Sequence, residues 1–249
     1  MKEATPTGRV EQAHKRVRAL VDGQVVADTT RPVLVWEVPY YPAYYIPATD
    51  IRAELIDTGT TKSARLGGEA HLHDIRIGEV TVPAAAQTFP DSPVEEVRDL
   101  VRLDWGAMGE WLEEDEPVYV HPRDPYKRVD ILASSRHVEV SVDGVKVADS
   151  HQPRILFETG LPPRYYLPMT DVRLDLMRRS RRETHCPYKG MAGYWDVVIG
   201  DTVHEGLAWE YRTPLPESQK IAGLIAFFDE RVDVTVDGVR QERPRSPFS

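Results

Sequence analysis

The chain contains the same pattern of residues twice. Residues 17–55 align without a gap on residues 138–176, and 17 of these 39 positions are identical. Self-similarity at this distance indicates a duplicated structural unit rather than one irregular fold. We therefore expect two units of similar architecture in the 249 residues. Each would have about 120 residues, which is enough to bury a core of its own.

Differences between the two halves set the expected domain limits. We predict a flexible leader over residues 1–13, a first repeat over 14–132 and a second repeat over 133–249. Residues 79–103 have no obvious counterpart in the second half, and their prolines and the run Glu95 to Arg102 predict an inserted loop and a helix. The connection at 133–135 is short, so we expect the repeats to pack as a pseudo-twofold pair within a monomer.

Strand signals dominate both halves. Residues 138–142 alternate between apolar and polar side chains and lead into Asp143-Gly144, a pair typical of tight hairpin turns. Asp22-Gly23 repeats this signal in the first half. Thr49 and Thr170 are placed to cap short helices. The predicted fold class is therefore mostly β, with a few short helices.

Composition narrows the classes of function. A net charge of −9 argues against broad binding to nucleic-acid phosphates. No apolar run reaches the roughly 18 residues that a membrane span needs. A single cysteine excludes an internal disulfide and suits a reducing compartment, so we predict a cytoplasmic protein.

One basic run departs from this acidic background, and it comprises Arg178, Arg179, Arg181 and Arg182. It is open to two interpretations. The run could form the last turn of a helix, where cations complement the helix dipole. It could instead form a patch that binds anions.

An ordered series of short motifs resembles one bacterial family, the domain of unknown function numbered 427. The motifs are Asp143-Gly144, residues 147–150, Arg164-Tyr165-Tyr166, Asp171-Val172-Arg173, Cys186-Pro187-Tyr188-Lys189-Gly190, Tyr194-Trp195 and Ala208-Trp209. The stretches 111–116 and 121–129 resemble the joint of its tandem members. The resemblance covers roughly residues 14–240 and is weaker in the first half, which lacks the Cys-Pro-Tyr-Lys-Gly motif.

This resemblance implies two tandem β-tent-like domains, each made of antiparallel sheets that meet at an angle. Relatives of that fold often hold zinc through paired cysteines. One thiol cannot form such a site, so we predict neither a metal nor a cofactor. Some members also carry a nucleotidyltransferase label, but this sequence has no Gly-rich phosphate loop to support it.

Cys186 is the residue with the most obvious reactivity. Lys189 and His185 could favour its thiolate and so make it a nucleophile. Free cysteine is also among the most buried residue types, so a structural thiol or a simple ligand contact explains it as well. These alternatives remain open from the sequence.

Each repeat also carries one glutamate among apolar residues, Glu37 and Glu158. A buried carboxylate needs a partner, and Arg52 or Arg173 of the same repeat could provide it. The alternative is an acid or base whose pKa is raised by burial. In each Tyr-Tyr pair, Tyr165 and Tyr166 for example, one ring should face the core and the other a surface or a cleft.

We predict that the second repeat binds a small molecule, of which Lys189 would neutralise an anionic group. The expected lining residues are Glu158, Tyr165, Tyr166, Arg173, Tyr188, Tyr194, Trp195 and Trp209, together with Cys186, Lys189 and His185. Two alternatives are a thiol-dependent enzyme that uses Cys186, and a protein-interaction module that docks a partner through the inserted segment 79–103.

Overall fold

Two compact units make up the computed structural model, which describes residues 8–246. The units divide between Asp124 and Pro125. Each contains two antiparallel sheets, so the fold is mostly β, with two tandem β domains as the repeat predicts.

The first unit is built from short strands and two 3-10 turns. Its strands within residues 8–124 are β1 (Val10–Gln12), β2 (Val17–Val21), β3 (Gln24–Thr29), β4 (Val33–Val35), β5 (Ala43–Pro47), β6 (Glu54–Ser63), β7 (Glu69–Ile77), β8 (Val80–Thr88), β9 (Leu100–Leu103), β10 (Glu110–Glu113) and β11 (Glu116–Pro117). Over these residues one sheet has the order β1-β4-β5-β9-β8-β7-β6 and the other β11-β10-β2-β3. The 3-10 turns are Ala48–Asp50 and Glu95–Val97.

The second unit repeats this topology. Its strands within residues 125–246 are β12 (Val129–Ala133), β13 (Val138–Val142), β14 (Val145–Ser150), β15 (Arg154–Glu158), β16 (Arg164–Leu167), β17 (Met177–Cys186), β18 (Gly190–Ile199), β19 (Thr202–Glu210), β20 (Ile225–Phe227), β21 (Asp233–Val236) and β22 (Val239–Arg240). The sheet orders β12-β15-β16-β20-β19-β18-β17 and β14-β13-β21-β22 match those of the first unit strand for strand. Its 3-10 turns are Met169–Asp171, Leu174–Leu176 and Pro216–Ile221.

The Asp-Gly turns form as the sequence predicts. Asp143 and Gly144 both have positive φ, 48° and 78°, and they join β13 to β14. A two-residue hairpin turn of this kind matches the right-handed twist of its strands, and glycine adopts such angles without steric cost. Asp22 and Gly23 do the same between β2 and β3.

The larger sheet of each unit is buried on both faces. In the second unit one apolar cluster joins strands of both sheets and includes Val140, Leu167 and Trp195. A separate cluster covers the opposite face of the larger sheet and includes Tyr166 and Trp209. We call this opposite face the outer face. Because neighbouring residues of a strand point to opposite faces, Tyr165 and Tyr166 separate as the sequence predicts. Each of them packs against an apolar cluster, so neither faces the surface or cleft that was expected for one of them.

Several expectations about local structure are wrong. Segment 79–103 is no insert, since it forms β8, a 3-10 turn and β9, the counterparts of β19, Pro216–Ile221 and β20. The basic run 178–182 lies in β17 rather than in a helix. Thr49 and Thr170 lie inside 3-10 turns that have no side-chain cap.

The unit limits also differ from the expected ones. Strand β12, placed at the end of the first repeat by the sequence, pairs with β15 and opens the second unit. The predicted leader 1–13 includes β1, which pairs with β4. Residues 1–7 of that leader lie outside the described residues. Among the residues that the structure describes, no helix has the length and apolar character to cross a membrane.

Candidate functional site

An ion pair is buried on the outer face of the second unit. The Lys189 ammonium contacts the Glu158 carboxylate, and the two side chains are only 10% and 9% exposed. Tyr166, Trp209 and the half-buried Cys186 belong to the apolar cluster that surrounds them. The structure therefore brings together five of the residues that the sequence proposed for a pocket. Within this group Lys189 pairs with Glu158, and the Trp209 indole donates a 3.1 Å hydrogen bond to the Tyr166 hydroxyl.

The hairpin that carries Lys189 is fastened to the loop before the 3-10 turn Pro216–Ile221. The Leu215 amide donates to the Lys189 carbonyl at 3.1 Å, and the Ser218 hydroxyl donates to the Tyr188 carbonyl at 3.1 Å. Gly190 has φ +95°, where a side chain is strained, and a Cβ there would lie 3.4 Å from the Leu215 nitrogen. The turn can therefore approach this loop because residue 190 is glycine.

Electrostatics keep the lysine charged. Burial alone would lower the pKa of Lys189, but the nearby Cys186 and Glu158 outweigh it and the pKa is raised. Burial raises the pKa of Tyr166 to about 12, and the pKa of Tyr211 is also raised by burial. Both phenols therefore stay neutral near pH 7, so neither is available as a base.

The equivalent glutamate of the first unit has a different partner. Glu37 accepts a 2.7 Å hydrogen bond from the Tyr45 hydroxyl and lies 3.1 Å from Nε of Arg102. By strand register Arg102 corresponds to Ala226, and Lys189 corresponds to Gly67. The carboxylate is common to both units, but the cation reaches it from strand β9 in the first unit and from the β17–β18 turn in the second.

The predicted pairing of Glu37 and Glu158 with Arg52 and Arg173 is therefore wrong. Arg52 binds Asp28 instead, and Arg173 binds Asp175 near the surface. Arg173 accordingly takes no part in the buried group.

The remaining predicted residues are divided between the two faces of the sheet. Tyr194 packs on the outer face with Trp209. Tyr165 and Trp195 face the smaller sheet, and His185 is exposed. Tyr188 lies at the hairpin tip, half-buried.

A second polar feature of the same unit is an open groove of about 470 Å³, which we call the arginine groove. The residues that line it are Arg178, Arg179, Ser180, Arg181, Arg182, Asp196, Glu205 and Gly206. Four arginines and two carboxylates give this lining a formal charge of +2. The basic run noted in the sequence thus forms a concave surface on an edge strand.

Two of these guanidinium groups lie over aromatic rings. Arg179 is 4.1 Å from the ring centroid of Trp195, and Arg182 is 4.3 Å from that of Tyr194. Arg179 also donates to Glu210 at 2.7 Å. A guanidinium held by its face keeps in-plane N–H donors for other acceptors. The rings therefore fix these cations in place without using all of their hydrogen-bonding capacity.

The other two arginines differ in their partners. Arg178 donates to Asp196 at 3.0 Å, and the second oxygen of Asp196 accepts from the Gly206 amide at 2.8 Å. Arg181 is exposed and makes no ion pair within the described residues 8–246. Its charge is the least compensated in the groove.

Register shifts in three adjacent strands create the concave shape. The pairing of β17 with β18 shifts between Arg179 and Glu183, and that of β18 with β19 shifts between Trp195 and Val197. Such bulges bend strands and re-aim side chains. The shape of the groove is thus a property of the backbone.

The first unit has the same shifts, at Asp57/Thr61 and His73/Ile75. There Asp74 accepts from the Ala84 amide at 2.8 Å, as Asp196 does from Gly206. The residues that correspond to 178–182 are 56–60, with the sequence Ile-Asp-Thr-Gly-Thr. The two units therefore share one backbone shape, and only the second unit lines it with arginine.

The fold and these sites define a tandem β protein whose second unit carries both the buried ion pair and the arginine groove. The chain belongs to the family described as Domain of unknown function (DUF427), whose model matches residues 9–114 and 130–238. The two matches correspond to the two units. No curated protein matches the chain.

Proposed function

We propose that the second unit binds a small anionic molecule in the arginine groove. The observation that carries this proposal is the concentration of four arginines around one concavity. The protein as a whole has a net charge of −9. The cations of such a positive surface repel one another, and a bound anion reduces this repulsion. The first unit, with two aspartates at equivalent positions, has no such requirement.

The arrangement suits a ligand with carboxylate or phosphate groups. Guanidinium presents parallel N–H donors that match two oxygens of such a group, and these charge-assisted bonds are stronger than neutral ones. Arg181 and the in-plane donors of Arg182 are the groups that we assign to ligand contact. Arg178 and Arg179 are already bound to Asp196 and Glu210, so we assign them to the positive charge of the groove and not to direct ligand contact.

The buried Lys189–Glu158 pair is not part of this binding surface. Its two charges satisfy each other inside an apolar cluster, and an anion at Lys189 would have to displace Glu158. We assign this pair to the stability of the second unit. It follows that ligand binding and the ion pair can be altered separately.

Calorimetric titration with pyrophosphate and with citrate tests the proposal, at low salt because exposed charges are screened. We expect the full chain to bind at least one of them more tightly than about 1 mM. Replacing Arg181 and Arg182 together by glutamine should weaken binding by about tenfold or more. Arg240→Gln combined with Arg243→Gln is the control matched in charge, since both are exposed arginines that pair with Asp233 outside the groove.

The variants also show how the proposal could fail. Equal losses in the groove variant and in the control with Arg240→Gln and Arg243→Gln would mean nonspecific attraction to charge. Binding that the groove variant leaves unchanged would place the ligand elsewhere. If Lys189→Met stays folded and loses affinity for the anion, the binding site would be at the buried Lys189–Glu158 pair instead.

A further inference from the structure

Two histidines and an aspartate meet at the open end of the β13–β14 hairpin. One ligand atom from each of His137, Asp149 and His151 lies within 4.8 Å of the others. Nε2 of His137 is 2.7 Å from Oδ1 of Asp149. The two imidazole rings stack with centroids 4.0 Å apart. None of these residues takes part in the arginine groove or in the buried ion pair.

The hairpin register explains why they meet. Val138 pairs with Ser150, so the residues just outside this pair, His137 and His151, face each other across the two strands. Asp149 lies on the same return strand, two residues before His151, so its side chain points to the same face. A bulge between Val140 and Ser141 sets this register, which is why the sequence alone did not bring the two histidines together.

The first unit holds an arginine at the same place. Asp28 corresponds to Asp149, and it accepts two hydrogen bonds of 2.7 Å from Arg16, which corresponds to His137. Thr30 stands where the second unit has His151. The carboxylate is therefore paired with an arginine, which is always charged, in the first unit. In the second unit it lies beside two histidines, which can bind a metal ion in their neutral form.

We propose that His137, Asp149 and His151 bind a divalent first-row transition ion of the zinc, nickel or copper class. Two imidazoles and one carboxylate form a ligand set that these ions prefer over calcium or magnesium. The ion takes the place of the hydrogen between His137 Nε2 and Asp149 Oδ1. A neutral imidazole then carries its one proton on Nδ1, and a protonated imidazole releases a proton to solvent. Solvent fills the remaining coordination positions.

Binding requires two small rearrangements. The stacked rings present parallel edges, so at least one exposed imidazole must rotate about χ2 to direct its nitrogen at the ion. Lys146 donates to the other oxygen of Asp149 at 2.8 Å and also contacts Glu139. Its ammonium can stay with Glu139 when the ion approaches Asp149. Because the side chains are exposed or only half-buried, the cost of these movements is small.

The experiment is calorimetric titration of the full chain, free of any polyhistidine tag and stripped with a chelator, with zinc chloride and with nickel chloride. Titrations in two buffers of different ionisation enthalpy measure the released protons. We expect His137→Gln and His151→Gln each to weaken binding by about tenfold or more. The double variant His137→Arg with His151→Thr reproduces the residues of the first unit and should abolish binding while the fold persists.

Two controls separate this site from other ligands for metal. His204 lies 3.0 Å from Asp143 as a single His–Asp pair, so His204→Gln should leave binding unchanged. Cys186→Ala should also leave it unchanged, because the thiol lies in a different part of the unit. Two results would overturn the proposal: His137→Gln and His151→Gln that bind the ion as tightly as the unsubstituted protein, or unsubstituted protein that binds it more weakly than about 1 mM.

Discussion

Removing the cation from the buried ion pair of the second unit should destabilise that unit strongly. In Lys189→Met an apolar side chain of similar length replaces the lysine, and Glu158 is left without its partner. The Glu158 side chain is only 9% exposed, so water cannot replace the lost contact well. Breaking a buried pair by removing one member typically costs about 3–5 kcal/mol, and we expect a loss in this range.

A double-mutant cycle isolates the interaction. Glu158→Gln in the Lys189→Met background removes the remaining buried charge, so the double variant should be more stable than Lys189→Met alone, by about 1–3 kcal/mol. Arg173→Ala is the control, because Arg173 and Asp175 form an exposed pair that should matter little. One cationic side chain is thus removed from a buried ion pair and another from an exposed one.

Urea denaturation followed by tryptophan fluorescence measures the free energies. Hydrogen exchange of amides in β15 and β18 assigns the loss to the second unit, which matters because two units can unfold separately. A loss below about 1 kcal/mol in Lys189→Met would refute the reasoning, since the carboxylate would then have found another partner. A double variant no more stable than Lys189→Met would refute it as well.

Two further predictions concern acid–base behaviour and the thiol. Burial raises the pKa of Asp229 to about 7, although Arg164 opposes the shift and Glu230 reinforces it. The protonated form is thus favoured on folding, and this stabilisation is complete below the ordinary pKa of 3.8 and is lost as pH rises through about 7. Asp229→Asn should therefore stabilise the protein near pH 8 by on the order of 4 kcal/mol and have little effect near pH 4. Urea denaturation at both pH values measures this, and destabilisation near pH 8 would contradict it. Cys186 should react with iodoacetamide about tenfold or more slowly in the native protein than in urea, because it is half-buried in an apolar cluster. Native alkylation faster than in urea would instead favour the thiol-dependent enzyme.

The features predicted well from the sequence are those fixed by local chemistry. The Asp-Gly turns need positive φ at specific positions, and both formed. The Tyr-Tyr pairs separate to opposite faces because strand side chains alternate, which no tertiary contact can change. Duplication of these signals was enough to predict two β domains.

Errors arose where pairing over long distances decided the outcome. Pro83 suggested a loop, but it sits beside the bulge at Ala84, where φ is +49° and the strand ladder is already interrupted. The arginine run gave no alternating pattern because most of that segment of edge strand β17 is exposed. It therefore resembled the polar end of a helix.

The prediction of the partners of the buried glutamates was wrong for a related reason. Arg173, the predicted partner of Glu158, is 15 positions away from it in the chain. Lys189, its actual partner, is 31 positions away. Lys189 reaches Glu158 through the β17–β18 hairpin. Only the strand order shows that this hairpin tip approaches the end of β15, and periodicity contains no information about it.

The carboxylates of Asp74 and Asp196 hold the same bulged region in the two units. Each accepts a hydrogen bond from a backbone amide of the neighbouring strand. Because these two aspartates and main-chain atoms maintain this depression, the other side chains that line it are not needed for its shape. Substitution there can exchange one chemistry for another at little cost to folding. This molecule already holds both outcomes, a neutral-to-acidic surface at residues 56–60 and a strongly basic one at residues 178–182. Engineering new specificities into DUF427 domains could therefore begin at these positions.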